Sequence, residues 1–123
     1  EKPGERWRFR AGGMRQRVGI AIAMVFQPKI LLADEPTSAL DVTTQAQIIR
    51  QIVDVRNEFN AAVIIVTHNL GVASYMSNKI IVMKDGHIVE SGLREDVISN
   101  PQHEYTKELL ASVPVMGGKK YYE

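Results

Sequence analysis

The stretch Lys29-Ile-Leu-Leu-Ala-Asp-Glu-Pro-Thr-Ser-Ala-Leu-Asp41 decides the fold of this chain. Its apolar run, Ile30–Ala33, is bounded by Pro36, and this pattern is typical of a buried strand in a parallel sheet. Asp34 and Glu35 come directly after the run. We therefore expect both carboxylates at the carboxyl edge of the sheet, where α/β proteins bind their ligands.

At such an edge, the two acids can divide the work of hydrolysing a nucleoside triphosphate. Asp34 can hold Mg²⁺, a hard ion that prefers oxygen ligands. Glu35 can orient or deprotonate a water molecule. Taken alone, an acid pair after a strand is more often an ordinary surface feature, so the other segments of the chain must decide.

Two further segments carry polar chemistry. Gly12-Gly13 precedes apolar residues at helical spacing, which predicts a helix from Met14 to Val25. Paired glycines let a backbone approach a phosphate, and a helix N-terminus offers free N–H groups. A second apolar run, Val63–Val66, ends at Thr67-His68, and a parallel strand there would place His68 beside the acid pair. Alone, a glycine pair is usually a loop and a lone histidine is usually structural.

The remaining elements follow from caps and turn signals. Asp41 is a good N-cap for a helix over Val42–Phe59, whose broad apolar stripe predicts core packing. Lys84-Asp85-Gly86 between two apolar runs predicts a β-hairpin. Short helices are predicted over Leu70–Ser77, residues 93–99 and Glu104–Ala111, the last with Tyr105, Leu109 and Val113 facing inward.

Three of these segments resemble motifs of ATP-binding cassette (ABC) ATPases. Ile30–Asp41 resembles the Walker-B segment and D-loop, Val66-Thr67-His68 resembles the H-loop, and Ala11–Arg17 resembles the signature motif. The resemblance covers roughly Ala11 to Ser112. Within the family, the chain looks most like the ATP-binding subunits of dipeptide and oligopeptide importers. It implies an α/β fold: a partial P-loop NTPase core with parallel strands, flanking helices and a C-terminal β-hairpin.

The resemblance also implies roles for single residues, with ATP and Mg²⁺ as cofactors. Asp34 would bind Mg²⁺, Glu35 would polarise the attacking water, and His68 would contact the γ-phosphate. The segment that would complete the ATP site of a partner subunit comprises Ala11, Gly12, Gly13, Met14 and Gln16, and Asp41 would bridge the subunits. Ala11 departs from the family, whose serine at this place lends a hydroxyl to the γ-phosphate.

The implied function is hydrolysis of ATP to power the import of peptides or similar small solutes. The implied partners are a second ATP-binding subunit and transmembrane permease subunits, which places the protein in the cytoplasm, peripheral at the inner face of the cell membrane. Two alternatives stay open: the ABC-type ATPase head of a DNA-repair or chromosome protein, and a non-catalytic interaction fragment. The net charge of +1 argues against a nucleic-acid partner.

Length and missing motifs bound the chain's own activity. The 123 residues allow one small domain or part of a larger one, and the chain has no cysteine. We predict a non-matching arm over residues 1–10, the C-terminal half of an ABC ATPase domain over 11–92, and a helical extension with a mobile tail over 93–123. No Gly-x-x-x-x-Gly-Lys-Ser/Thr occurs in the sequence. We therefore expect this chain by itself to be inactive and to self-associate through its uncovered sheet.

Overall fold

The computed structural model describes residues 13–113 in full and the backbone of residues 115–116 and 119–120. The chain divides into two compact units, Glu1–Val66 and Thr67–Glu123. The predicted arm over residues 1–10 lies outside the described residues, as do Ala11 and Gly12. Most of the predicted mobile tail lies outside them too, so its mobility stays a prediction.

The first unit is a βαβ arrangement preceded by a helix. Its described elements are α1 (Met14–Met24), β1 (Ile30–Asp34), α2 (Val42–Phe59) and β2 (Ala62–Val66). β1 and β2 pair in parallel, from Ile30 opposite Ala62 to Asp34 opposite Val66. Parallel neighbours need a long crossover, and α2 supplies it. The predicted parallel strands are confirmed.

Helix α2 begins and ends where the sequence predicts. The Asp41 side chain accepts a hydrogen bond from the backbone N–H of Thr44, and Asn60 ends the helix in the left-handed region at φ 51°. Ile48 and Ile52 are fully buried. The apolar stripe of this helix therefore packs as core, as predicted.

One face of the β1–β2 sheet is exposed within the described residues. Leu31 is buried, but Ile30, Leu32, Ile64 and Val66 are between 50% and 65% exposed. The strands are therefore not buried on both sides, and the uncovered apolar face expected from the sequence is confirmed. Apolar runs of this kind belong to sheets with a layer on both sides, whereas burial in the first unit alternates along both strands.

The second unit is a hairpin packed with short helices. Its elements are α3 (Leu70–Met76), β3 (Lys79–Lys84), β4 (His87–Leu93), α4 (Arg94–Ser99) and α5 (Glu104–Ala111), followed by the backbone strands β5 (Val115–Met116) and β6 (Lys119–Lys120), which pair antiparallel. β3 and β4 are antiparallel, with an irregularity between Val82 and Met83. Asp85 and Gly86 take φ values of 50° and 77° in the connecting turn, as a two-residue hairpin requires. The predicted hairpin is confirmed.

The core of the second unit consists of six buried residues, Leu70, Ile80, Val82, Val97, Leu110 and Val113. Tyr105 and Leu109, predicted to face inward, are half-buried against this core. The deepest positions of α5 are instead Leu110 and Thr106. The predicted face of the helix is thus right to within a fraction of a turn.

Candidate functional site

The acid pair lies at the carboxyl end of β1. Asp34 is exposed and Glu35 is half-buried. The backbone N–H of Glu35 donates to the Val66 carbonyl at 2.8 Å, which extends the pairing of the strands by one residue. Glu35 then takes a φ of 45°, a left-handed conformation that costs energy for a residue with a side chain. The chain thus turns away from the sheet at Glu35 itself.

An open cleft of about 380 Å³ lies between α1 and β1. Arg15, Gln16, Asp34 and Glu35 line its polar part. Its apolar lining is Gly19, Ile20, Ala23, Leu31, Leu32, Ala33 and Pro36. The first turn of α1 therefore lines the same cleft as the carboxyl end of β1. A helix N-terminus carries positive potential, so this edge of the first unit combines two acids with a terminus that favours anions.

Gly13 fixes the start of α1. It has a φ of 70°, and a Cβ atom at this position would lie 2.6 Å from Thr44 Cγ2. Both observations require glycine. Helix α1 is tied to α2 one turn later by the Arg17 guanidinium, which donates to Gln47 Oε1 at 2.6 Å. Met14, the first residue of the helix, is half-buried.

Both carboxylate oxygens of Asp41 accept hydrogen bonds from Thr44. Oδ1 accepts from the Thr44 hydroxyl at 2.5 Å, and Oδ2 accepts from the Thr44 backbone N–H at 3.1 Å. The bond from the Thr44 hydroxyl, and to a smaller extent the bond from the Thr44 N–H, hold the pKa of Asp41 below its usual value. Asp41 is thus a capping group in this structure, and its predicted bridge to a partner subunit stays a prediction. Sequence analysis missed Thr44, although a hydroxyl residue three places after an N-cap was there to be read.

The segment around His68 is organised by its neighbours. Thr67 Oγ1 accepts from the Asn69 backbone N–H at 3.1 Å. Asn69 Oδ1 accepts from the N–H groups of Gly71 and Val72 and so caps α3. His68 itself is exposed. Its predicted approach to Glu35 and to a γ-phosphate stays a prediction.

Asp34 fits the role of a magnesium ligand. No group of three or more His, Cys, Asp or Glu side chains forms a metal cage within the described residues. Mg²⁺ does not need one, because it keeps several waters and is usually bound by one or two carboxylates together with substrate phosphates. An exposed carboxylate at the carboxyl end of a parallel strand matches that requirement. Among the described helices, none is long and apolar enough to cross a membrane.

Two family models match this chain. The family described as "ABC transporter" matches residues 4–38, and "Oligopeptide/dipeptide transporter, C-terminal region" matches residues 89–123. The first match extends to residues before the predicted start of the resemblance at Ala11. The second supports the transporter interpretation over the DNA-repair alternative, because it is a transporter-specific region.

Curated relatives agree with these matches. The oligopeptide transport ATP-binding protein AppD of Bacillus subtilis (strain 168) is 49% identical over 109 residues, which is 89% of this chain and 33% of that protein. The dipeptide transport ATP-binding protein DppD of the same organism is 47% identical over 91% of this chain and 35% of its own length. The glutathione import ATP-binding protein GsiA of Escherichia coli (strain K12) is 48% identical over 89% of this chain and 18% of its own length. The chain thus spans about a third or less of these relatives.

A solved structure matches the fold. The ATP-binding cassette MJ0796, in a dimeric post-hydrolysis state bound to ADP and Pi, aligns with a TM-score of 0.60 and 38% identity over 69% of this chain and 36% of that chain. The fold is therefore that of an ABC ATPase core. Over about 90% of its length this chain is similar to ATP-binding proteins of oligopeptide and dipeptide transporters, and the two family matches at residues 4–38 and 89–123 agree with that similarity.

Proposed function

We propose that the intact protein hydrolyses ATP to power the import of peptides or similar small solutes. The observation that carries this proposal is the cleft between α1 and β1. Asp34 and Glu35, at the carboxyl end of β1, line this cleft together with the first turn of α1. Acids alone would repel a triphosphate. Mg²⁺ held at Asp34 would offset this repulsion, while the N–H groups at the start of α1 would favour the triphosphate held by a partner subunit. The names of AppD, DppD and GsiA support peptides or peptide-like solutes as the cargo.

The residues take separate roles in this proposal. Asp34 would hold Mg²⁺, which would neutralise charge on the phosphates when it is bound. Glu35 orients the attacking water and accepts its proton. His68 hydrogen-bonds the γ-phosphate. The segment Ala11–Gln16 and Asp41 serve the nucleotide held by a partner subunit.

The proposed partners are a second ATP-binding subunit and membrane-embedded permease subunits. The dimeric state of MJ0796 supports the first, and the transporter names of the relatives support the second. These partners would hold the protein at the cytoplasmic face of the cell membrane. The chain by itself would self-associate through the exposed face of the β1–β2 sheet.

Glu35→Gln in the full-length subunit tests this function. The variant keeps the size of the side chain but removes the base, so ATP should still bind while turnover falls at least a hundredfold, within the range known for general bases. Glu58→Gln is the matched control, because Glu58 is an exposed acid on α2. ATPase activity and ATP-dependent dimerisation would be measured for both.

Two results would contradict the proposal. If Glu35→Gln kept more than about a tenth of wild-type turnover, Glu35 would not be the base. If the wild-type subunit bound no ATP, the proposed ATPase function would be wrong. The alternative of a non-catalytic interaction protein that keeps the fold would then be the better interpretation.

A further inference from the structure

Thr44, in the first turn of α2, touches two segments at once. Its hydroxyl donates to Asp41 Oδ1 at 2.5 Å, and its backbone N–H donates to Asp41 Oδ2 at 3.1 Å. Its γ-methyl lies against Gly13, since a Cβ atom built on Gly13 would come within 2.6 Å of Thr44 Cγ2. One short side chain therefore contacts the turn that ends at Asp41 and the glycine that begins α1.

The Thr44 side chain has little freedom to move at either contact. A β-branched residue in a helix has few χ1 rotamers, and the bond to Asp41 selects one of them. The direction of the hydroxyl then fixes the direction of the methyl group. If Asp41 shifts, Thr44 must turn, and its methyl must move relative to Gly13.

A movement of the Thr44 methyl group would also move the start of α1, because Gly13 and the first turn of α1 are fixed to α2. Gly13 is buried, and its carbonyl accepts the first helical bond of α1 from the Arg17 N–H at 3.0 Å. The Arg17 side chain is bonded to Gln47, one turn beyond Thr44 on α2. The start of α1 is therefore fixed to the same helix that Asp41 caps, and the Gln45 side chain adds a bond to the Leu40 carbonyl at 2.9 Å.

We propose that Thr44 is a positioning residue that couples the turn at Asp41 to the glycine segment at the start of α1. This inference rests on the proposed function, in which both segments meet the nucleotide of a partner subunit. Coupling makes the two segments take their ATP-competent positions together, so that neither forms half of a partner's site alone. Thr44 touches neither ATP nor water in this scheme.

Two substitutions separate the two contacts. Thr44→Val keeps the branched shape and a methyl group towards Gly13 but removes the hydroxyl bond to Asp41. Thr44→Ser keeps the hydroxyl but removes the methyl group. Thr43→Val and Thr43→Ser are matched controls at the exposed neighbouring position of the same helix turn, and they carry the same changes in helix propensity.

Hydrogen exchange of the full-length subunit without nucleotide is the first measurement. Coupling predicts that each Thr44 variant speeds exchange about threefold or more in the segment whose direct contact it leaves intact. Thr44→Val should loosen Gly13–Arg17, and Thr44→Ser should loosen Ser38–Asp41. The inference is overturned if each variant affects only the segment whose contact was cut, or if both behave like the Thr43 controls.

ATP-driven dimerisation, measured in the Glu35→Gln background, is the second measurement. Both Thr44 variants should raise the ATP concentration for half-maximal dimerisation by roughly three- to tenfold relative to the Thr43 controls, in addition to any change in melting temperature. A shift only in melting temperature would show a merely structural role and overturn the inference. If the parent protein failed to dimerise with ATP while the exchange effects held, the proposed function would fail and the coupling would stand.

Discussion

Glu90→Gln should loosen the C-terminal helices from the hairpin. Glu90 lies in β4, and its two carboxylate oxygens accept hydrogen bonds from the backbone N–H groups of Gln102 at 2.9 Å and His103 at 3.0 Å. These donors belong to the turn that leads into α5. A neutral amide can accept one of these bonds but presents its NH₂ group to the other donor.

The expected loss is about 1–2 kcal/mol. Hydrogen bonds to a charged group contribute ~1.5–3 kcal/mol each, but Glu90 is half-buried, so solvent screening reduces the value. Only one of the two bonds is lost outright. Because removing one partner leaves an N–H without its acceptor, the loss should still exceed that of an ordinary surface substitution.

The effect should depend on pH with a definite sign. Burial alone would raise the pKa of Glu90, but the nearby Thr106 side chain and the hydrogen bonds from the Gln102 and His103 N–H groups outweigh it and hold the pKa below its ordinary value of 4.5. A group with a lowered pKa stabilises the fold above its unfolded-state value, and this contribution is lost as the pH falls through the folded-state value. Glu90→Gln has no such titration. The difference in stability between the two proteins should therefore be constant near neutral pH and shrink below about pH 4.5.

Urea unfolding followed by circular dichroism, at neutral and acidic pH, measures this difference. Glu108→Gln is the control, because Glu108 is an exposed acid on α5. The reasoning would be refuted if Glu90→Gln and Glu108→Gln had equal midpoints at neutral pH. It would also be refuted if the Glu90→Gln difference were as large at acidic pH as at neutral pH.

Three further predictions concern the first unit. Gly13→Ala should lower the free energy of unfolding by about 1–3 kcal/mol, because Gly13 has a φ of 70° and an added Cβ would meet Thr44. Gly19→Ala should raise it by ~0.5–1 kcal/mol, because Gly19 has open space around it. Equal urea midpoints for the two variants would contradict this prediction. The 123-residue chain alone should bind Mg-ATP only with a millimolar or weaker dissociation constant, because without a phosphate loop roughly 5 kcal/mol of hydrogen bonding is lost. Calorimetric titration measures this constant. A value below ~10 μM, together with phosphate release that Asp34→Asn abolishes, would overturn the prediction. In the full-length subunit, Ala11→Ser should raise ATPase activity or ATP-driven dimerisation by at most about tenfold, because one neutral hydrogen bond is gained; unchanged or lower activity would show that the residue does not face the γ-phosphate.

The sequence predicted most elements because their ends carry local signals. Helix α2 spans Val42–Phe59 as predicted, since Asp41 is a strong cap and the apolar stripe is long. The hairpin followed from Asp85-Gly86. The parallel pairing of β1 and β2 followed from two apolar runs separated by a helix. In each case the information lies within a few residues of the element it decides.

The connection between β4 and α5 could not be predicted, because it joins distant residues. His103 caps α5 by accepting from the Tyr105 N–H through Nδ1 at 3.1 Å, yet histidine is not among the usual capping residues. Glu90 reads in the sequence as one more strand residue. Its bonds to Gln102 and His103 depend on how the chain folds back, and no local pattern encodes that. The link between Gly13 and Thr44 escaped sequence analysis for the same reason.

The exposed face of the β1–β2 sheet links the fold to the proposed chemistry. Ile30, Leu32, Ile64 and Val66 are as apolar as the strand residues that are buried, but half or more of each is exposed. Parallel sheets are stable when layers cover both faces, and this chain spans only 33% of AppD. We therefore expect the further sequence of an intact subunit to cover this face as well as to supply the phosphate loop. β1 and β2 end at Asp34 and Val66, so a layer over this face would also exclude water next to the acid pair. In such a less polar environment, charge interactions with a bound phosphate would be stronger.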